Sequence, residues 1–123
     1  MNPTLMIIGG CIGSAVAIGH GVLMQKLFIN PLLNSDYAQE MPPPAKKLIP
    51  LLLHFTTVFW FVGGLLLVVA PFYFEEPVVK TIAVIVCSFY IFGAIGNFWG
   101  TGGKHPGWIL LTIATALVIA SDL

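Results

Sequence analysis

Arginine is missing from this chain altogether, and charge of either sign is scarce. Only 8% of the residues are Asp, Glu, Lys or Arg, against about 25% in ordinary soluble domains. Five lysines balance five acids. That balance leaves neither a basic patch nor bidentate phosphate grips, so nucleic acid is excluded as a partner. The acids fall in expected loops or at the carboxyl end, which leaves no carboxylate at mid-membrane to couple proton or sodium movement. No activated serine or cysteine stands beside a base, and paired carboxylates and a zinc-protease motif are missing, which argues against an enzyme. Cysteine is nearly absent too. Cys11 and Cys87 lie in hydrophobic runs, where a thiol is expected to behave as a small buried apolar group.

What the chain has in abundance is oil. Its 123 residues are 58% hydrophobic, with a mean hydropathy of +0.97. Long stretches carry no ionisable group, so lipid is the solvent for most of the surface. A span needs about 20 apolar residues. Hydrophobic continuity predicts an all-α, polytopic membrane protein: a single domain of four transmembrane helices at about residues 4–25, 48–74, 78–99 and 106–122. The segment IGGC imitates the residues ahead of a lipoprotein cysteine, but no lysine or arginine precedes it, so a retained helix is expected.

Lys26, Lys46 and Lys47 lie in the first connection and Lys104 in the third, whereas the second holds Glu75, Glu76 and only Lys80. The positive-inside rule then places both termini outside a bacterial cytoplasmic (inner) membrane. The prolines of MPPPAKK suggest a stiff polyproline II spacer or a plain linker, and KLFINPLL has the apolar content to rest on headgroups.

Small residues mark the packing faces. Gly13, Ala17 and Gly21 recur four apart in helix 1, and Gly64, Gly93 and Gly96 are expected to do similar work in helices 2 and 3. Polar atoms join these faces through His54, Thr57, Phe61 and Gly64 in helix 2, and through Tyr90, Gly93, Asn97 and Gly100 in helix 3. Thr112 and Thr115 share a related face of helix 4. The glycines of GTGG lack the strand and the lysine-serine or lysine-threonine ending of a phosphate loop.

Three histidines complete the inventory. Alternating spans bring His20, His54 and His105 to one end of the bundle, the first two about 9–11 Å inside their flanking lysines. Asn97 approaches that level from helix 3. Imidazole unpaired in hydrocarbon is expensive, so each ring needs a partner: a backbone carbonyl, a threonine, Asn97, or a ligand. Three imidazoles hold zinc or copper and two on facing helices hold haem iron, although no HxxxH or CxxC spacing supports either. An imidazole can also relay a proton or hydrogen-bond a quinone-like carbonyl, and the remaining readings are contact with headgroups, with a lipid-like ligand or with another subunit.

The segments AIGHGVLMQKLFINPLL, LLLHFTTVFW and GGKHPGW, in this order, resemble a group of small bacterial four-helix membrane proteins. Its members place a histidine near the end of helix 1, a histidine followed by threonine or serine in helix 2, and a basic-His-x-x-Trp turn before helix 4. MQK here stands in the place of a Gly-Glu pair. The resemblance implies the architecture and the choice of histidines, and it carries no activity. Three functional readings follow: an accessory or structural subunit of a larger membrane complex, associating with other subunits or with itself; a histidine-based metal, haem or quinone binding module; and a small channel or transporter.

Overall fold

The computed structural model describes residues 1–123, and every regular element is helical. They are α1 (Pro3–Met24), a π-helical turn (Gln25–Ile29), α2 (Asn30–Leu33), α3 (Asp36–Glu40), α4 (Pro43–Tyr73), α5 (Glu76–Thr101) and α6 (Gly107–Ile119). Three stretches are long and apolar enough to cross a bilayer: the continuous run Pro3–Leu33, then Pro43–Tyr73 and Glu76–Thr101. The protein is therefore an all-α, multi-spanning membrane protein. α6 has 13 residues, about 20 Å at 1.5 Å per residue, against a hydrocarbon core of about 30 Å.

Two helices run past their expected limits. The first continues beyond residue 25 through the π turn into α2, with Pro31 just after that turn. α4 begins at Pro43 instead of residue 48. Pro43 and Pro44 occupy its first turn, where a missing N–H has no bond to break, so the expected proline spacer is the start of a helix, and only Pro42 keeps a polyproline-like backbone.

The three long helices and α6 pack in a ring in chain order: α1 against α4, α4 against α5, α5 against α6, and α6 back against α1. The Asn2 N–H donates to the Ser121 carbonyl at 2.7 Å, so the two ends of the chain meet. Lys26, Lys46, Lys47 and Lys104 gather at the opposite end.

Close backbone approach holds the ring together, since lipid removes the usual hydrophobic drive between helices. Gly10 and Gly64 face each other across α1 and α4, and a Cβ on either would strike the other's carbonyl oxygen. Beside them the Ser14 hydroxyl donates to the Phe61 carbonyl at 3.3 Å. One layer further, fully buried Tyr90 fills the space above Gly13 and donates to the Trp60 carbonyl at 3.4 Å, while the Trp60 ring lies over Gly93. Gly21 receives the Thr57 methyl, and Ala17 is fully buried.

Two expectations about small residues fail. Gly96 is exposed and has open space where a Cβ would stand, since no side chain from another helix reaches it, so it is not a packing residue. Cys11 is exposed on the outer face of α1, unlike buried Cys87.

The turn between α5 and α6 is built residue by residue. Gly102 has φ +58°, and the Gly103 N–H donates back to the Phe98 carbonyl at 2.8 Å, which closes the last turn of α5. Trp108 then donates its indole N–H to the Gly103 carbonyl at 3.1 Å and meets the Phe98 ring edge-on at 5.2 Å. Gly102→Ala is expected to lower stability by about 1 kcal/mol through its left-handed backbone alone, since no atom lies near enough to clash. Thermal unfolding in detergent checks this, with Gly102→Asn closer to the parent protein.

Candidate functional site

At the lysine-bearing end the ring opens into a cavity of about 400 Å³. α1 contributes His20, Leu23 and Met24, α4 contributes Leu53, Thr56 and Trp60, and α5 contributes Phe92, Asn97 and Thr101. His105 closes it from the turn before α6. Gly96 and Gly100, with open space where a Cβ would stand, leave the lining side of α5 bare at that level. Its walls are mostly apolar, and no Asp, Glu, Lys or Arg lines it.

Each polar group is held from behind. The Gly107 N–H donates to Nδ1 of His105 at 3.0 Å, and the His105 N–H donates to the Thr101 hydroxyl at 3.3 Å. His105 thus supplies an acceptor to a free N–H in the first turn of α6, as a capping side chain does. With Nδ1 accepting, the neutral ring carries its proton on Nε2, which makes no hydrogen bond to protein. Asn97 donates its amide N–H to the Gly93 carbonyl at 2.9 Å, leaving Oδ1 without a protein donor. His20 lies against the Trp60 ring, centroids 4.6 Å apart, and its Nε2 is 3.3 Å from the Thr56 hydroxyl. His105 therefore offers a donor and Asn97 an acceptor to the same uncharged cavity.

His54 does not join them. Its Nε2 donates to Gln25 Oε1 at 2.9 Å, and the Gln25 amide donates to Asn30 Oδ1 at 2.7 Å. The reason is helical phase: His54, Thr57 and Gly64 form the side of α4 that faces α1, whereas Leu53, Thr56 and Trp60 face the cavity. No three His, Cys, Asp or Glu side chains come together in a group able to hold a metal ion. The expected trio is a pair, His20 with His105, plus a separate interhelical bond at His54.

The expected inward stripe of His54, Thr57 and Gly64 does pack against α1, but the sequence alone left out Gln25 and the cavity-lining Thr56. Gln25 is the only polar, uncharged side chain between His20 and Lys26, and it occupies the π turn, a local widening of the helix often found at functional sites. That combination was the available signal. Thr56 and Thr57 are adjacent, and periodicity alone gives no basis for choosing which one meets a histidine.

No family model matches the chain, and no curated protein or solved structure shows significant similarity to it.

Proposed function

We propose that this protein is a binding module of the bacterial cytoplasmic membrane for an uncharged, hydrogen-bonding amphiphile of the quinone class. One observation carries the reading: His105, with an N–H unpartnered by protein, and Asn97, with an unpartnered carbonyl oxygen, line one cavity without formal charge. A quinone carbonyl accepts the first and a quinol hydroxyl donates to the second. An unpaired polar group in hydrocarbon costs several kcal/mol by transfer data, which makes a partner for both groups favourable. Hydrogen bonding suits the pair better than metal or haem coordination, because His20 stacks on Trp60 with Nε2 directed at Thr56. In this reading α6 completes a fourth crossing of a single domain, with the lysine-bearing end cytoplasmic and both termini outside.

Calorimetric titration of the protein in nanodiscs with a short-chain benzoquinone tests the reading. Saturable binding of one molecule per chain is expected. A response no greater than that of empty nanodiscs would sink the proposal.

A second reading, that the chain is an accessory subunit of a larger membrane assembly, is favoured by a separate observation. Cys11, Ala15 and Gly19 recur four apart on the outer face of α1, all exposed, with open space around Gly19. Small residues at this spacing let a second membrane helix approach closely. A photoreactive maleimide attached at Cys11 in native membranes is expected to capture a discrete protein adduct, absent in Cys11→Ser. Adducts with lipid alone would remove the support for this reading.

A further inference from the structure

The cavity does not end at Trp60. A second hollow of about 420 Å³ lies on the seam between α4 and α5 and shares Thr56, Trp60 and Phe92 with the first. A third, of about 270 Å³, continues along the same seam and shares Phe59 and Phe89 with the second. From Leu52 to Leu66 the three cover on the order of 20 Å of α4 at 1.5 Å per residue. The polar end holds His105 and Asn97, the middle is aromatic, and the far end is aliphatic with Val62, Leu66 and Ile85.

Phe59 lies against Phe55 on its own helix and meets Phe89 edge-on across the seam, with centroids 4.4 and 5.1 Å apart. Below these rings Gly63 and Val86, which line the third hollow, lie in close contact across the seam. Phe55, Phe59, Phe89 and Phe92 are all exposed on the membrane side, so the groove opens sideways to lipid.

We propose that this seam seats the single hydrocarbon chain of the amphiphile, which enters sideways from the bilayer between α4 and α5 and leaves its ring at His105 and Asn97. The inference rests on the quinone-class reading of the head site. Continuity from that site selects the occupant: a long chain must leave the head cavity, and the seam is the apolar channel that joins it. A phospholipid fits poorly, having two chains and a charged phosphate where no lysine or arginine lines the cavity. Because lipid tails are as apolar as the ligand's, the seam contributes through contact shape and not through transfer from water. Its expected effect is accordingly modest, about fivefold in affinity.

The experiment compares a long-chain isoprenoid benzoquinone with a chainless one, titrated calorimetrically into nanodiscs holding the parent protein, Ile85→Trp or His105→Leu. Ile85 is half-exposed on the groove wall, so the larger ring narrows the seam without entering the core. Ile85→Trp is expected to weaken the long-chain quinone about fivefold and to leave the chainless one unchanged; unfolding temperature verifies that the fold survives, and Val62→Trp serves as the replacement if it does not. Equal affinities of the parent and Ile85→Trp for the long-chain quinone would overturn the seam while leaving the head site intact. Failure of the parent to bind the chainless ring, with long-chain binding indifferent to His105→Leu, would overturn the head site instead. A phospholipid that co-purifies with the parent and is lost from Ile85→Trp would assign the seam to lipid and overturn this inference.

Discussion

Gly64→Val is expected to destabilise the helix ring by about 3 kcal/mol, at the upper end of the range for overpacked cores. A Cβ at this position meets the Gly10 carbonyl oxygen, the Ser14 backbone nitrogen and the Ser14 hydroxyl. Two of these belong to the backbone of α1, so no rotamer change relieves the contact. The helices have to separate along their whole seam, which also loosens the Ser14 bond to the Phe61 carbonyl. Thermal unfolding in mild detergent should show a large fall in midpoint. Gly96→Val provides the contrast: it has the same change of volume on a helix of similar apolar character, but with nothing near its Cβ. It should fall within about 0.5 kcal/mol of the parent, as surface substitutions do. Similar losses at both positions would show that glycine acts through backbone freedom and not through close approach.

His105→Leu is expected to weaken binding of a short-chain benzoquinone about tenfold, equivalent to about 1.4 kcal/mol. The substitution removes the Nε2 proton of His105, which lines the cavity and has no protein acceptor, and it leaves an apolar side chain of similar bulk. It also leaves the Gly107 N–H without its acceptor, with a stability loss of about 1 kcal/mol. The two effects separate on comparison with His54→Leu. His54 bonds Gln25 away from the cavity, so its loss is expected to lower the unfolding temperature with quinone affinity unchanged. Equal loss of quinone affinity in both variants would show that the reported effect is structural.

How far the site was legible depends on the kind of signal each residue left. His20 and Asn97 are legible because a polar side chain in an apolar run has few tolerable destinations, and the depth of His20 follows from helical rise, whereas His105 is placed only by the alternation that returns the glycine turn to the same end. The partner of His54 did not stand out. Gln25 lies next to Lys26 at the expected end of a span, and only the continuation of the helix through the π turn carries it to a position opposite His54. Prolines misled in the same way. At residues 42–44 they read as a break, yet a proline in a first turn forfeits no hydrogen bond, so the element boundary moved into the expected spacer.

The packing glycines show the limit of periodicity more sharply. Gly13, Gly64 and Gly93 each lie beneath a neighbour's atoms, whereas Gly96, three residues beyond Gly93, faces a void. Nothing in spacing distinguishes the last from the others. The difference arises because Trp60 from α4 fills the space over Gly93, and no comparable side chain from another helix reaches Gly96.

Composition and hydrophobic continuity by themselves determined that this protein is helical and lives in lipid, because a chain so poor in charge can satisfy its backbone only within helices when water is absent. Alternation of the spans likewise determined that the histidines share an end. Only the tertiary structure decided which of them meet. That outcome depends on the rotation of each helix about its axis, and in a bilayer rotation is set by contacts with neighbours many residues away, since lipid itself prefers no face of an all-apolar helix.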